Sequence, residues 1–313
     1  MAQSEAVRPG AVAVWIREMR VPFFTGSAVP VALGAAVAWY ETGIFSPALF
    51  ALTLLGAFLA HAGANMTNDY YDWRSGNDDV NRFRSMFNGG AGLIQERKLT
   101  PNQVHLAALA ALGSAAVIGL YLASVAGPGV VVLMLAGGFM AYFYTGEPLR
   151  LAYYGVGELM VGLSFGPLLV AGAYLVQTGT VSPAVVAASV PVGLLITAVL
   201  YINQFPDYEA DRAVGKAHWV VRLGSARAVA GLGVLLLATH LWVAGSVAVG
   251  LAPWPVLAAL ATAPLSLKAY RLTQVFHDAP VELRPANAMV IGNHLLTGLL
   301  VTAGFVAARL LGV

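Results

Sequence analysis

The sequence predicts an all-α polytopic membrane protein with nine transmembrane helices, and three observations lead there. Only 10% of its 313 residues are charged, against roughly 25% in an average soluble domain. Apolar runs come close to the roughly 20 residues that cross a bilayer as a helix. The 34 glycines favour close-packed spanning helices over a barrel, whose strands would alternate in polarity. Cysteine is absent, which excludes disulfides and thiolate metal sites. A net charge of +2 decides nothing about partners, and no nucleic acid is expected among them.

The first 20 residues carry Arg8, Arg17 and Arg20 but no short apolar core before a small-residue cleavage site. Residues 1–20 therefore read as a retained cytoplasmic segment, with Trp15 and Ile16 on a short helix at the membrane surface. Residues 21–313 read as one transmembrane domain. Apolar segments fall at about 21–40, 47–66, 103–126, 128–145, 155–176, 184–205, 228–249, 251–267 and 288–312. The eighth is short and interrupted by Pro253, Pro255 and Pro264.

Charge then sorts the connections. The N-terminus and the loops after spans two, four, six and eight hold all but one of the 17 Lys and Arg, the exception being Arg309. Positive charge marks the cytoplasmic side, so the N-terminus is expected inside and, with nine spans, the C-terminus outside. The membrane expected is the inner, cytoplasmic one. Of the 15 acidic residues only Glu41 falls on the outer side. The long inner loops at about 67–102 and 206–227 therefore carry the chemistry.

Asn65 with Asp69, and Asn68 with Asp72, stand four residues apart at the end of span two. On a continuing helix they form one polar face of amide and carboxylate oxygens. Asn203, Asp207 and Asp211 repeat the spacing at the end of span six. Carboxylates at membrane depth are costly unless paired, hydrated or bound to a cation. Magnesium is hard and octahedral, and takes one or two carboxylates plus phosphate oxygens. Two separated carboxylate faces without cysteine suit that ion on a diphosphate better than zinc. Pro206 within the second face predicts a kink that aims Asp207 and Asp211 inward.

Other polar residues have weaker patterns. Lys216, Arg74, Arg82, Arg84, Arg150 and Arg222 lie in the same inner loops, where they could balance a leaving diphosphate or simply follow topology. His61, His240 and His294 sit inside apolar spans without motif partners, and are expected to make hydrogen bonds between helices. Gly89-Gly90-Ala91-Gly92 lacks the Lys-Ser or Lys-Thr of a nucleotide loop and reads as a flexible turn. Tyr70, Tyr71, Tyr144 and Tyr208 crowd the motif ends, as the wall of an aromatic pocket or as interfacial residues.

Over nearly its whole length the chain resembles the UbiA-type intramembrane aromatic prenyltransferases. Asn68-Asp69-Tyr70-Tyr71-Asp72 is similar to that family's first aspartate motif. Asp207-Tyr208-Glu209-Ala210-Asp211, followed by Gly215-Lys216, is similar to its second. Gly76 followed by Asp78, the stretch Gly89 to Glu96, and Tyr144-Thr145 with Pro148-Leu149-Arg150-Leu151 resemble the 1,4-dihydroxy-2-naphthoate, or menaquinone, branch. After Gly215-Lys216 that branch commonly continues Arg-Thr-Leu, where this chain has Ala217-His218-Trp219.

The resemblance implies a UbiA-like bundle and a polyprenyl diphosphate donor drawn from membrane lipid. It also implies an aromatic acceptor that loses carbon dioxide if it is dihydroxynaphthoate. Asn68, Asp69, Asp72, Asp207 and Asp211 would hold magnesium. Asp72, Asp207 and Lys216 would carry the catalysis. Asn65, Asn68, Arg74, Tyr144, Arg150, Asn203 and Lys216 would bind substrate. The same fold with a hydroxybenzoate, tetrapyrrole or glycerol phosphate acceptor is the nearest alternative. A transporter is the alternative from another class, but it would place charge near mid-membrane or break helices in related repeats.

Overall fold

The computed structural model describes residues 10–313, so Arg8 lies outside the described residues. No strand occurs among them. In chain order the helices are α1 (Ala11–Glu18), α2 (Thr25–Thr42), α3 (Pro47–Arg74), α4 (Asn77–Val80), α5 (Pro101–Ala126), α6 (Gly129–Phe143), α7 (Gly157–Leu163), α8 (Leu169–Thr178), α9 (Pro183–Ala213), α10 (Trp219–Leu223), α11 (Ser225–Ala248), α12 (Ala263–Phe276) and α13 (Arg284–Leu311). A tight-turned helix, Val21–Phe24, leads into α2, and a π-helical turn, Ser164–Leu168, joins α7 to α8.

Seven helices are long and apolar enough to cross a membrane: Val21–Thr42, α3, α5, Gly157–Thr178, α9, α11 and α13. Nine spans were expected, and the other two apolar segments fall short of that standard. Segment four is the 15-residue α6. Segment eight becomes a 3-10 stretch, Trp254–Thr262, running into α12. Pro255 and Pro264 stand at the first turns of those two pieces, because neither can donate a backbone hydrogen bond further inside a helix.

The most enclosed helix is α9, buried over 72% of its apolar window against 17% for α5. It runs unbroken through Pro191 and Pro206. Each proline leaves the carbonyl four residues earlier without its helical donor, and a neighbouring helix supplies one. The Trp242 indole N–H donates to the Ala187 carbonyl at 2.8 Å, and Asn287 Nδ2 donates to the Ile202 carbonyl at 3.3 Å. Helix α9 therefore stays continuous through Pro206, with the orphaned carbonyl satisfied from α13. Glycines set the closest approaches, as their number predicted. A Cβ at Gly34 of α2 would collide with the Val170 carbonyl, and one at Gly166 would meet Gly193 Cα at 2.7 Å.

Two of the three intramembrane histidines make the expected bonds between helices. His61 Nδ1 lies 2.9 Å from Ser27 Oγ, and His240 Nε2 lies 3.1 Å from Ser266 Oγ. Nε2 of His294 is buried without a partner.

The short helix expected around Trp15 is α1. Its Val14 and Trp15, with Met19 just beyond it, pack beside Met66, Leu93 and Ile94, while Val12 and Ile16 stay exposed. Glu18 is fully buried and neither of its oxygens has a partner among the described residues. Burial, and then the Asp69 carboxylate, push Glu18 from 4.5 up to about 8. Such a group keeps its proton in the fold and loses it in the unfolded chain, so stability falls as pH rises between those two values. Glu18→Met is expected to raise the thermal midpoint of the detergent-solubilised protein, by the equivalent of about 1–3 kcal/mol for removing an unsatisfied buried group. The gain should be larger at pH 8 than at pH 5, and an equal shift at both would contradict this account.

Candidate active site

The two predicted faces meet. Asn68 and Asp72 from α3, and Asn203, Asp207 and Asp211 from α9, line one polar cavity of about 110 Å³, with Lys216 from the loop after α9 and Tyr144 at the end of α6. Lys216 Nζ bridges the faces, 3.2 Å from Asp72 Oδ2 and 3.6 Å from Asp211 Oδ1. Burial opposes its charge, but Asp211 and Asp72 overcome this and hold its pKa well above the usual value. Asn68 Nδ2 donates to Asp72 Oδ2 at 2.7 Å, across the four-residue spacing read from the sequence.

Four expected residues stand elsewhere. Asn65 donates to the Met19 carbonyl at 3.0 Å and ties α3 to the N-terminal segment. Arg74 pairs with Glu147 at 3.1 Å on an exposed surface. The Arg150 guanidinium lies over the Tyr153 ring, 4.1 Å from its centroid. Asp69 turns away from the cavity: its Oδ2 accepts from the Ala91 amide at 2.8 Å, and so holds the glycine loop. Gly90 has φ +70°, and a Cβ there would sit 2.8 Å from Asp69 Oδ1, so both backbone angle and space require glycine. The turn expected at residues 89–92 is thus anchored, and Gly89 and Gly90 form part of the cavity wall.

Several residues that complete the site were not singled out from the sequence. Asn81 Nδ2 and Asn88 Nδ2 donate to Asp207 Oδ1 at 2.7 and 2.6 Å, and Asn77 Nδ2 donates to Asp211 Oδ1 at 2.7 Å. The amides of Asn77 in α4 and of Asn81 and Asn88 beyond it thereby fix two carboxylates of α9, and Asp207 Oδ2 has no protein donor among the described residues. The clustering of asparagine in the loop after α3 was the available signal. His218 Nδ1 accepts from the Val221 amide at 3.3 Å, which places the ring proton on Nε2, 2.8 Å from Asp211 Oδ2. Glu158 is fully buried and accepts from the Trp219 amide at 2.7 Å and from Gln204 Nε2 at 3.2 Å. His218, which falls where Arg-Thr-Leu was expected, therefore braces the second face.

The donor set fits magnesium. Among the described residues no three His, Cys, Asp or Glu side chains converge closely enough to hold a metal alone. Magnesium keeps several waters and takes one or two carboxylates plus substrate phosphate oxygens, so split carboxylates need not form a closed site by themselves. The oxygens are hard, and the carboxylates of Asp72, Asp78, Glu158, Asp207 and Asp211 on the cavity wall outnumber the cations Lys216 and Arg20 there. Burial, then Asp69 and Asp72, push Asp78 up to about 8, although Arg84 lies 3.5 Å away.

Tyr144 also lines a second cavity of about 300 Å³ between α3, α5, α6 and α7–α8, walled mainly by apolar residues such as Leu112, Met134, Met160, Phe165 and Val176. A polar end thus adjoins an apolar channel.

The UbiA prenyltransferase family model matches residues 27–284. The chain belongs to the UbiA prenyltransferase family. It is 32% identical to the 2-carboxy-1,4-naphthoquinone phytyltransferase of Synechocystis sp., over 95% of this chain and 94% of that protein. It is 35% identical to the 1,4-dihydroxy-2-naphthoate octaprenyltransferase of Mycobacterium tuberculosis, over 77% of this chain and 84% of that one. The fold matches a UbiA homolog from Archaeoglobus fulgidus bound to GPP and Mg2+, with a TM-score of 0.62, 17% identity, and coverage of 93% of this chain and 99% of that one. With its seven apolar helices, this UbiA chain is an integral membrane protein.

Proposed function

We propose that this UbiA protein transfers a polyprenyl group from its diphosphate to 1,4-dihydroxy-2-naphthoate, with magnesium as cofactor. The carrying observation is the junction at Tyr144, where the polar cavity with its split carboxylates meets the apolar channel. A polyprenyl diphosphate has that division of chemistry. From Met160 to Val176 the channel follows about 24 Å of helix, at roughly 1.5 Å per residue. The naphthoate acceptor is supported by the Synechocystis and Mycobacterium relatives, both named for naphthalene-ring acceptors.

Asp72, Asp207 and Asp211, with Asn68, would hold magnesium against the diphosphate, and Asp69 would act through the loop it anchors. Bound there, the ion supplies positive charge to the leaving oxygens. Lys216 stays protonated and adds a fixed charge beside the same oxygens. The allylic carbon–oxygen bond breaks with its electron pair on the diphosphate. The acceptor ring attacks the allylic carbon, and the carboxylate leaves the ring as carbon dioxide. Apolar walls around the channel exclude water that would otherwise quench the cation.

We further read residues 21–313 as one domain with nine spans in the cytoplasmic membrane, and the polar cavity as facing the cytoplasm. The one-sided distribution of Lys and Arg supports that orientation. The test is incubation of purified protein, magnesium and a polyprenyl diphosphate with a panel of aromatic acids and a glycerol phosphate lipid, scoring products by mass. Product from dihydroxynaphthoate is expected. Turnover of another acceptor without it would reject the naphthoate assignment.

A further inference from the structure

Lys216 and Arg20 are the lysine and arginine side chains on the polar cavity wall. Lys216 is engaged by Asp72 and Asp211. Nearby cations off the wall are also engaged, Arg84 by Asp78 and the Gly89 carbonyl, and Arg74 by Glu147. The Arg20 side chain is half-buried, lies 5.6 Å from the Phe23 ring centroid, and makes no hydrogen bond or ion pair with any described residue. Its backbone is left-handed, at φ 56° and ψ 44°, between α1 and the turn that opens the first apolar helix. A non-glycine residue held in that region costs on the order of 1–3 kcal/mol. The turn orients a guanidinium that lies near Glu18 and Asp69 but within ion-pair distance of no described carboxylate.

The residues that follow lead from the polar cavity to the apolar one. Four positions on, the Phe24 ring lies against His61, with centroids 5.3 Å apart, and Ser27 fixes His61 Nδ1. His61 meets Phe165 edge to face at 5.0 Å, and both line the apolar channel. A guanidinium without an ion-paired carboxylate at one end and an aromatic wall with one imidazole at the other match a planar aromatic ring bearing a carboxylate.

We propose that Arg20 anchors the carboxylate of the aromatic acceptor, with the ring toward the His61–Phe165 wall. This rests on the acceptor assignment above and names the positioning residue for it. The shared chemistry is an oxyanion, and the donor's diphosphate also offers one, so the test separates the two.

Full-length protein in detergent is titrated with 1-hydroxy-2-naphthoate, with 1-naphthol, and with pyrophosphate plus magnesium. Arg20→Gln should weaken 1-hydroxy-2-naphthoate binding at least tenfold while changing 1-naphthol and pyrophosphate less than twofold. Arg20→Lys should restore part of the loss, which also shows that the effect is not unfolding. Weaker pyrophosphate binding, equal losses for acid and naphthol, or no binding of the acid by the unmodified protein would each overturn the proposal. Prenyl transfer onto a carboxyl-free acceptor alone would overturn it too, leaving the prenyltransferase reading intact. Arg20-dependent binding of the acid without any prenyl transfer would keep this site and reject that reading.

Discussion

Asp207→Asn is expected to lower prenyl transfer by about a hundred- to a thousandfold, the scale seen when one charge-stabilising group is lost from a transition-state site, while the fold persists. The geometry separates the two effects. Oδ1 of Asp207 accepts from Asn81 and Asn88, and the asparagine carbonyl can keep both bonds. What changes is the outward oxygen, which becomes an amide donor without charge and cannot bind a cation. The same reasoning covers Asp72→Asn, except that Asp72 also receives Lys216. Product measured by mass across a magnesium titration, with a thermal midpoint for each variant, checks the expectation. Full activity in both variants would reject the metal–diphosphate assignment.

Lys216→Met should have the larger effect on stability. It leaves the buried Asp72 and Asp211 facing each other without the ammonium that bridges them, and breaking a buried pair from one side costs about 3–5 kcal/mol. Raising a lysine above its unfolded value gives stability that is fully present below about 10.5 and is lost only as pH rises through the higher folded value. The loss in Lys216→Met should therefore hardly vary between pH 6 and pH 9. Adding Asp72→Asn should recover much of the thermal midpoint but none of the activity. A double variant no more stable than Lys216→Met would show that the bridge does not hold the two faces together.

Much of this site was legible because it rests on helical periodicity. Four-residue spacing put Asn68 with Asp72, and Asn203 with Asp207 and Asp211, on single faces, and each set lines the cavity. The same spacing misplaced Asn65 and Asp69, which turn toward the N-terminal segment and the glycine loop. Periodicity gives a residue's angle on its own helix but not the neighbour that angle meets. Arg150 and Arg74 were assigned from loop position and family likeness, and found partners in Tyr153 and Glu147. The amides of Asn77, Asn81 and Asn88 escaped notice because their partners lie more than a hundred residues away.

Composition and apolar runs by themselves determined a helical membrane protein, because lipid requires every backbone group to be satisfied within a segment. They also determined two acidic faces of matching design. Tertiary structure decided what the sequence left open. It kept α9 continuous through Pro206 with a donor from α13. It also set the polar cavity and the apolar channel on either side of Tyr144 and left the Arg20 side chain without a hydrogen bond or ion pair among the described residues. These depend on distances between residues far apart in the chain, which packing sets and local pattern does not encode.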